Sequence, residues 1–261
     1  MVESRVVRPR LAFGVTGLDD MLRGGLPAVS STLLLGTAGA GKTVLGLHFI
    51  DEGSRQGDRA LVIGSQETPA RLIAKATALG FDLASHVEAD LVRMLVQPPG
   101  ELSLDAWALE LLELIDEYRP VRVFCDELGD VAVRAVYPER VPLFLAALAT
   151  ALRERGVTVI FAVELRRLIG EALEIPPSGF PVDLDNAILV RSVEWRSRLH
   201  RFLSVIKLRD ADHDTAIREF SISSRGVEVS DSFASAESVM TGIARDAAVT
   251  VGRDSAGGRD G

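Results

Sequence analysis

Apolar residues along this chain come in two rhythms. Short, nearly continuous runs at Thr32 to Leu35, Ala60 to Ile63, Leu91 to Val96, Val121 to Cys125 and Val157 to Val163 predict strands buried on both faces. Between them lie longer stretches with helical spacing: from the glycine-rich segment at 36–43 to about Gly57, Pro69 to Leu79 with proline in its first turn, Leu104 to Tyr118, and Glu139 to Arg155. Such alternation predicts an α/β fold, a mainly parallel sheet with helices on both faces. Near the start, Thr16-Gly17-Leu18-Asp19 opens a short helix with a capping-box signature, and Gly24-Gly25 followed by Pro27 closes it. After about residue 163 the pattern turns to strand. Ala187 to Val190, Arg201 to Leu208, Ile217 to Ile222 and Val227 to Val229 read as hairpin-linked strands extending the sheet as a C-terminal antiparallel addition.

From Phe233 to Gly261 a few large apolar residues are spread among Ser, Ala, Gly, Asp and Arg, too little burial to offset the entropy of ordering. The expected organisation is one domain over residues 1–232 and a flexible tail over 233–261, with a docking helix near 237–245 as the alternative for the tail. The sequence shows no internal repeat.

Composition narrows the classes. With 261 residues and 47% hydrophobic content the chain can bury a substantial core, and its net charge of −8 argues against a global attraction to nucleic acid or anionic membrane. The longest apolar runs, such as Val141 to Leu152, fall short of the ~20 residues of a spanning helix. One cysteine, Cys125, allows no internal disulfide, and the first residues lack the apolar stretch of a secretory signal, so a reduced, cytoplasmic setting is expected.

The chemistry starts at Gly36, where G-T-A-G-A-G-K-T completes a G-x-x-x-x-G-K-[ST] phosphate loop between a strand and a helix start. Thr37, Ala38, Gly39, Ala40, Gly41, Lys42, Thr43 and Val44 form the expected nucleotide cradle. Its bare glycines let backbone N–H groups curl around a polyphosphate, Lys42 reaches the β- and γ-phosphates, and Thr43 serves Mg²⁺. The second metal group should be a carboxylate at a strand end, and Asp126, followed by Glu127, ends the run Val121 to Cys125. The remaining candidates read as structural: His48 as a packed core residue, His86 and His200 without metal spacing, Trp107 and Trp195 as packing groups, Cys125 as an inert buried thiol.

Several further motifs occur in order: F-G-V-T-G-L-D-D-M-L-R-G-G-L-P at 13–27, E-T-P at 67–69, L-G-F-D-L at 79–83 and K-L-R-D-A-D-H-D-T-A-I-R-E-F at 207–220. Together with the phosphate loop they resemble the KaiC group of RecA-like ATPases over roughly residues 11–230. The resemblance implies a RecA-like P-loop NTPase core that assembles as a homo-oligomeric ring, usually a hexamer, with Mg²⁺ and ATP held between subunits. It implies that Lys207, Leu208, Arg209 and His213 approach the nucleotide of the adjacent subunit, with Arg209 as an arginine finger. The residues support this independently, since Lys207 and Arg209, two apart on a strand, project from one face.

Two departures matter. Active relatives carry two adjacent glutamates after the second strand, and here those positions are Gln66 and Glu67. An amide orients water but takes no proton near neutral pH, so hydrolysis should be slow unless Glu67 or Glu127 acts as base. With Asp185 and Val193-Glu194 as ungapped anchors, the Ser-Thr pair that clock relatives phosphorylate falls on Pro181 and Val182, which leaves a circadian role unsupported. The segment 164–185 carries Arg166, Arg167 and a single aromatic, Phe180, with acids offsetting the arginines, so it reads as a solvated loop. The sequence therefore predicts a slow Mg²⁺-dependent ATPase acting as a regulatory or signalling module. A nucleotide-gated scaffold without turnover and a recombinase-like DNA-dependent ATPase are the alternatives.

Overall fold

A computed structural model describes residues 9–64, 67–96, 103–126, 134–165, 184–195 and 197–230. Gln66, Glu127, Arg166, Arg167, Phe180, Pro181, Val182 and the 233–261 tail lie outside the described residues.

In chain order the elements are β1 (Arg10–Leu11), α1 (Thr16–Met21), β2 (Leu26–Pro27), β3 (Ser31–Gly36), α2 (Lys42–Arg55), β4 (Ala60–Gly64), α3 (Pro69–Ala78), α4 (Leu83–Glu88), β5 (Val92–Val96), α5 (Leu104–Tyr118), β6 (Arg122–Cys125), α6 (Val141–Glu154), β7 (Thr158–Glu164), β8 (Asn186–Trp195), β9 (Arg198–Leu208), β10 (Arg218–Ser223) and β11 (Gly226–Val229). Nine strands form one sheet in the order β11-β10-β9-β8-β3-β7-β6-β4-β5, and β1 pairs with β2 apart from it. The strands from β8 through β3, β7, β6 and β4 to β5 run parallel, whereas β9, β10 and β11 add on antiparallel. This is the mainly parallel core with an antiparallel C-terminal extension that the pattern of apolar runs predicts.

Because alternate strand residues face opposite ways, the central strands feed two cores. Leu34, Val62, Phe124, Ile160 and Ala162 pack with residues of α1 to α4. Leu33, Leu35, Leu61, Ile63, Val123, Phe161 and Val163 pack under α5 and α6. α2 lies close to the sheet because it has glycine where it crosses β6: a Cβ on Gly46 would stand 2.2–2.4 Å from the ring of Phe124. Beside it Arg122, fully buried, is stacked 4.7 Å over Phe49 and donates to the Asp58 carboxylate at 2.9 Å and to the carbonyls of Ala12 and Phe49. A buried cation is tolerable only with partners like these.

The structure corrects several expectations. Thr16 is not the N-cap of α1; Val15 is, with no side-chain cap. Asp19 instead accepts from the backbone N–H groups of Phe13, Gly14 and Val15, fixing the chain entering the helix. α4, which the apolar pattern does not predict, is a short element capped by Asp82. A 3-10 turn at Pro138–Arg140 takes the start of the helix expected from Glu139, leaving α6 to begin at Val141. β8 and β9 run well past their apolar segments as a long hairpin. Among the described residues no helix is long and apolar enough to cross a membrane.

The close approach of α2 to β6 makes a direct prediction. Gly46→Ala should lower unfolding free energy in urea by about 1–3 kcal/mol through overpacking against Phe124. Gly64→Ala, with open space at its Cβ, should stay within about 0.5 kcal/mol of the parent. Equal effects would contradict this packing.

Candidate nucleotide site

The phosphate loop leaves the C-terminal end of β3, a strand flanked on both sides by parallel neighbours. Gly36 has no room for a side chain, since a Cβ would lie 2.5 Å from the Val190 carbonyl of β8. Gly39 and Gly41 take φ values of 70° and 108°, the left-handed region that glycine enters without a Cβ clash. Gly41 is then the N-cap of α2, so the first N–H groups of that helix open toward the loop's concave side.

Lys42, the first helical residue, is buried and curls back over the loop, its Nζ donating to the carbonyls of Gly36 and Thr37 at 3.0 Å each. Thr43 Oγ1 donates to Asp126 Oδ2 at 2.8 Å. Asp126 follows β6, and its own N–H is held by the Ile63 carbonyl of β4 at 2.8 Å. Thus the strand-end carboxylate expected from sequence meets the loop threonine. Its second oxygen, Oδ1, is buried with no hydrogen-bond partner. Burial pushes the Asp126 carboxyl above the usual range; the Thr43 hydrogen bond and the charges of Lys42 and Lys75 oppose that, and Glu67 adds to it. Among the described residues no group of three or more His, Cys, Asp or Glu could hold a metal alone. One free carboxylate oxygen beside one hydroxyl suits a hard divalent cation such as Mg²⁺, whose shell is completed by phosphates and water.

Glu67 lies two residues before α3, and its Oε1 pairs with the ammonium of Lys75. Its Oε2 is buried without a hydrogen bond. Glu67 follows the end of β4, whose Ile63 carbonyl holds the Asp126 N–H, and brings with it Lys75, which belongs to no sequence motif.

Lys207, Leu208 and Arg209 sit elsewhere. Leu208 pairs with Asn186, which pairs with Thr32 at the start of β3, whereas the phosphate loop leaves its other end. From Thr32 to Gly36 the strand rises about 13 Å. Lys207 Nζ donates to the Leu184 carbonyl at 2.7 Å, and Arg209 pairs with Asp185 at 3.1 Å, so both side chains turn away from their own loop. A register shift at Ala187/Ile188 leaves Ile206 extra, so Leu208 packs with Val205 in the α2-side core and Lys207 takes the other face. Arg209 lies just past the strand end rather than on it, a correction to the expected pair of strand residues. Within the chain Asp185 accepts from Ser31 N and Oγ and pairs with Arg153 and Arg209. Burial works against its charge, but the Ser31 hydrogen bonds and the Arg153 guanidinium prevail and hold its carboxyl below the usual range. His213, partly buried, lies in the β9–β10 connection, whose Asp214 N–H donates to the Met21 carbonyl.

The other candidates are structural. His48 Nε2 accepts from the Val227 N–H at 2.7 Å and its ring meets Phe81 edge-on, which ties α2 to β11; burial pushes its pKa down to about 4. His86 pairs with Asp51 at 3.2 Å and His200 with Glu219 at 2.7 Å. Trp107 is buried against Phe144, and the Cys125 thiol is pushed up to about 12 by burial, which leaves it unreactive.

A glycine turn between the central strand of a parallel sheet and a helix, with a threonine-aspartate pair across its mouth, defines a phosphate-loop ATPase core of RecA-like type. Residues 11–233 match the family described as ATPase: KaiC, and the chain belongs to that family. It is 31% identical over 233 residues to the circadian clock oscillator protein KaiC of Rippkaea orientalis, a match covering 89% of this chain and 44% of that protein. Circadian clock oscillator protein KaiC 1 of Synechocystis is also 31% identical, and KaiC of Synechococcus elongatus 29%, each with the same coverage. The chain spans about half the length of the curated relatives it matches.

Two predictions follow from these environments. Above pH 6.5 His48 is neutral in both folded and unfolded chains; between 6.5 and about 4 only the unfolded chain takes the proton, so stability falls as pH falls. Urea unfolding at pH 7 and pH 5 should therefore show His48→Gln losing roughly 2 kcal/mol less than the parent over that interval; equal losses would contradict a buried neutral imidazole. Asp126, whose pKa is raised, destabilises the fold while ionised at neutral pH, so Asp126→Asn should melt at a higher temperature at pH 7 without nucleotide. A lower melting temperature would count against that assignment.

Proposed function

We propose that this chain binds Mg²⁺-ATP at the phosphate loop and hydrolyses it slowly, as one protomer of a homo-oligomeric ring, hexameric in size, whose nucleotide state regulates partner binding. The observation that carries the reading is the Thr43–Asp126 pair at the loop mouth, with Asp126 Oδ1 unengaged. Bound there, Mg²⁺ would supply charge neutralisation to the phosphates. Lys42 would move from the Gly36 and Thr37 carbonyls to phosphate oxygens, a more favourable partner for an ammonium.

Nucleotide between subunits is supported by the placement of Lys207 and Arg209. They lie at the opposite end of the sheet from their own loop, so their route to a triphosphate is in a neighbouring protomer. Arg209, 43% exposed at its side chain, can exchange Asp185 for phosphate while Arg153 remains to hold Asp185. Leu208, between them in sequence, packs into the α2-side core, and His213 follows four residues after Arg209. Slow turnover is the reading of Gln66, since losing a general base typically costs ~10²–10⁴ in rate. Gln66 equally favours the second reading, a nucleotide-gated scaffold without turnover. A cytoplasmic setting is supported by the lone, buried Cys125 thiol.

Steady-state turnover and solution mass, each with and without Mg²⁺-ATP, test the proposal. ATP should promote a ring, and Lys207→Ala with Arg209→Ala should abolish hydrolysis while much of the nucleotide affinity remains. A chain that stays monomeric when saturated with Mg²⁺-ATP would overturn it, and a ring without turnover would select the scaffold.

A further inference from the structure

Lys75 lies in the last turn of α3, near the free carbonyls at the helix C-terminus. Its side chain runs the other way, along the direction helical side chains lean, and its ammonium meets Oε1 of Glu67 ahead of the helix. The pair is part-exposed, 37% at Lys75 and 31% at Glu67, and such pairs contribute little to stability. Its consequence is geometric: one carboxylate oxygen is anchored, and the other, Oε2, is buried and unengaged. Glu67 lies three residues past the end of β4, whose Ile63 carbonyl holds the Asp126 N–H at 2.8 Å, so the pair stands beside the strand ends that carry the phosphate site.

We propose that Lys75 is a positioning residue for hydrolysis: by holding Oε1 of Glu67 it presents Oε2 to the attacking water beside the phosphate loop. This rests on the ATPase reading above. As the water oxygen bonds to the γ-phosphorus and the bond to the bridging oxygen of the leaving ADP breaks, the water proton passes to Glu67 Oε2.

The test compares kcat and KM for Mg²⁺-ATP in the full chain and in Lys75→Met, Lys75→Gln, Lys75→Arg, Glu67→Gln and the Lys75→Met/Glu67→Gln double variant, with thermal melts as the folding control. Lys75→Met and Lys75→Gln should each lower kcat about ten-fold or more, leave KM within about two-fold, and melt close to the parent. Lys75→Arg should recover most of the turnover, and the double variant should be no slower than Glu67→Gln, because the lysine acts through the glutamate. Unchanged kcat in Lys75→Met, a loss confined to KM, or a double variant slower than Glu67→Gln would overturn the proposal while leaving the ATPase reading standing. A parent chain that binds Mg²⁺-ATP but never turns it over would defeat the ATPase reading first and this one with it.

Discussion

A turn that side chains other than glycine enter only with strain sets the geometry of the molecule. Gly39 and Gly41 hold positive φ, and Gly39 has open space at its Cβ, so backbone conformation and not crowding requires glycine there. Crowding governs the loop's ends. Gly36 lets Val190 of β8 press against the end of β3, and a Cβ on Gly41 would meet Ile222 and Phe220 of β10 at 3.0–3.3 Å. The antiparallel extension therefore braces the loop it follows in sequence by well over a hundred residues. His48 fastens α2 to β11 on the same side. β9, which runs between the bracing strands, carries Lys207 near the strand end opposite the phosphate loop, so one sheet spans from the loop to these cations.

Charge is arranged in two balanced groups. Around the loop, Lys42 and Lys75 offset Asp126 and Glu67. At the start of β3, Asp185 offsets Arg153 and Arg209. The first group retains two buried carboxylate oxygens with no hydrogen bond, Asp126 Oδ1 and Glu67 Oε2, and unengaged buried oxygens are destabilising. Their placement at one site fits binding chemistry better than fold stability. In the second group Asp185 holds both Arg153 and Arg209 within 3.2 Å.

Much of this was legible in sequence because the informative features are local. The run Thr32 to Leu35 and the eight residues after it specify strand, turn and helix together, and Leu104 to Tyr118 carries its Ser103 cap and apolar spacing within itself. α4 escaped notice because six residues are too few for helical periodicity to register. The outer halves of β8 and β9 were missed because Arg191, Ser192, Glu194, Arg198 and Arg201 interrupt any apolar run, although the hairpin pairs them regularly. Within the site, Lys42, Thr43 and Asp126 were found from motif and strand-end position. The Lys75–Glu67 and Asp185–Arg209 pairs were not, since an ion pair across a helix or between strands leaves no signature in spacing. The inter-subunit role proposed for Lys207 and Arg209 rests on the resemblance to KaiC proteins and on their distance from their own loop.

The most direct measurement of shared nucleotide gripping is complementation between two inactive chains. One carries Lys42→Ala and keeps its edge cations; the other carries Lys207→Ala with Arg209→Ala and keeps its loop. Mixed in Mg²⁺-ATP, they should regain a substantial part of parental turnover, because some interfaces then join an intact loop to intact cations of the adjacent protomer. Mixed oligomers that form and remain as inactive as either chain alone would contradict the account.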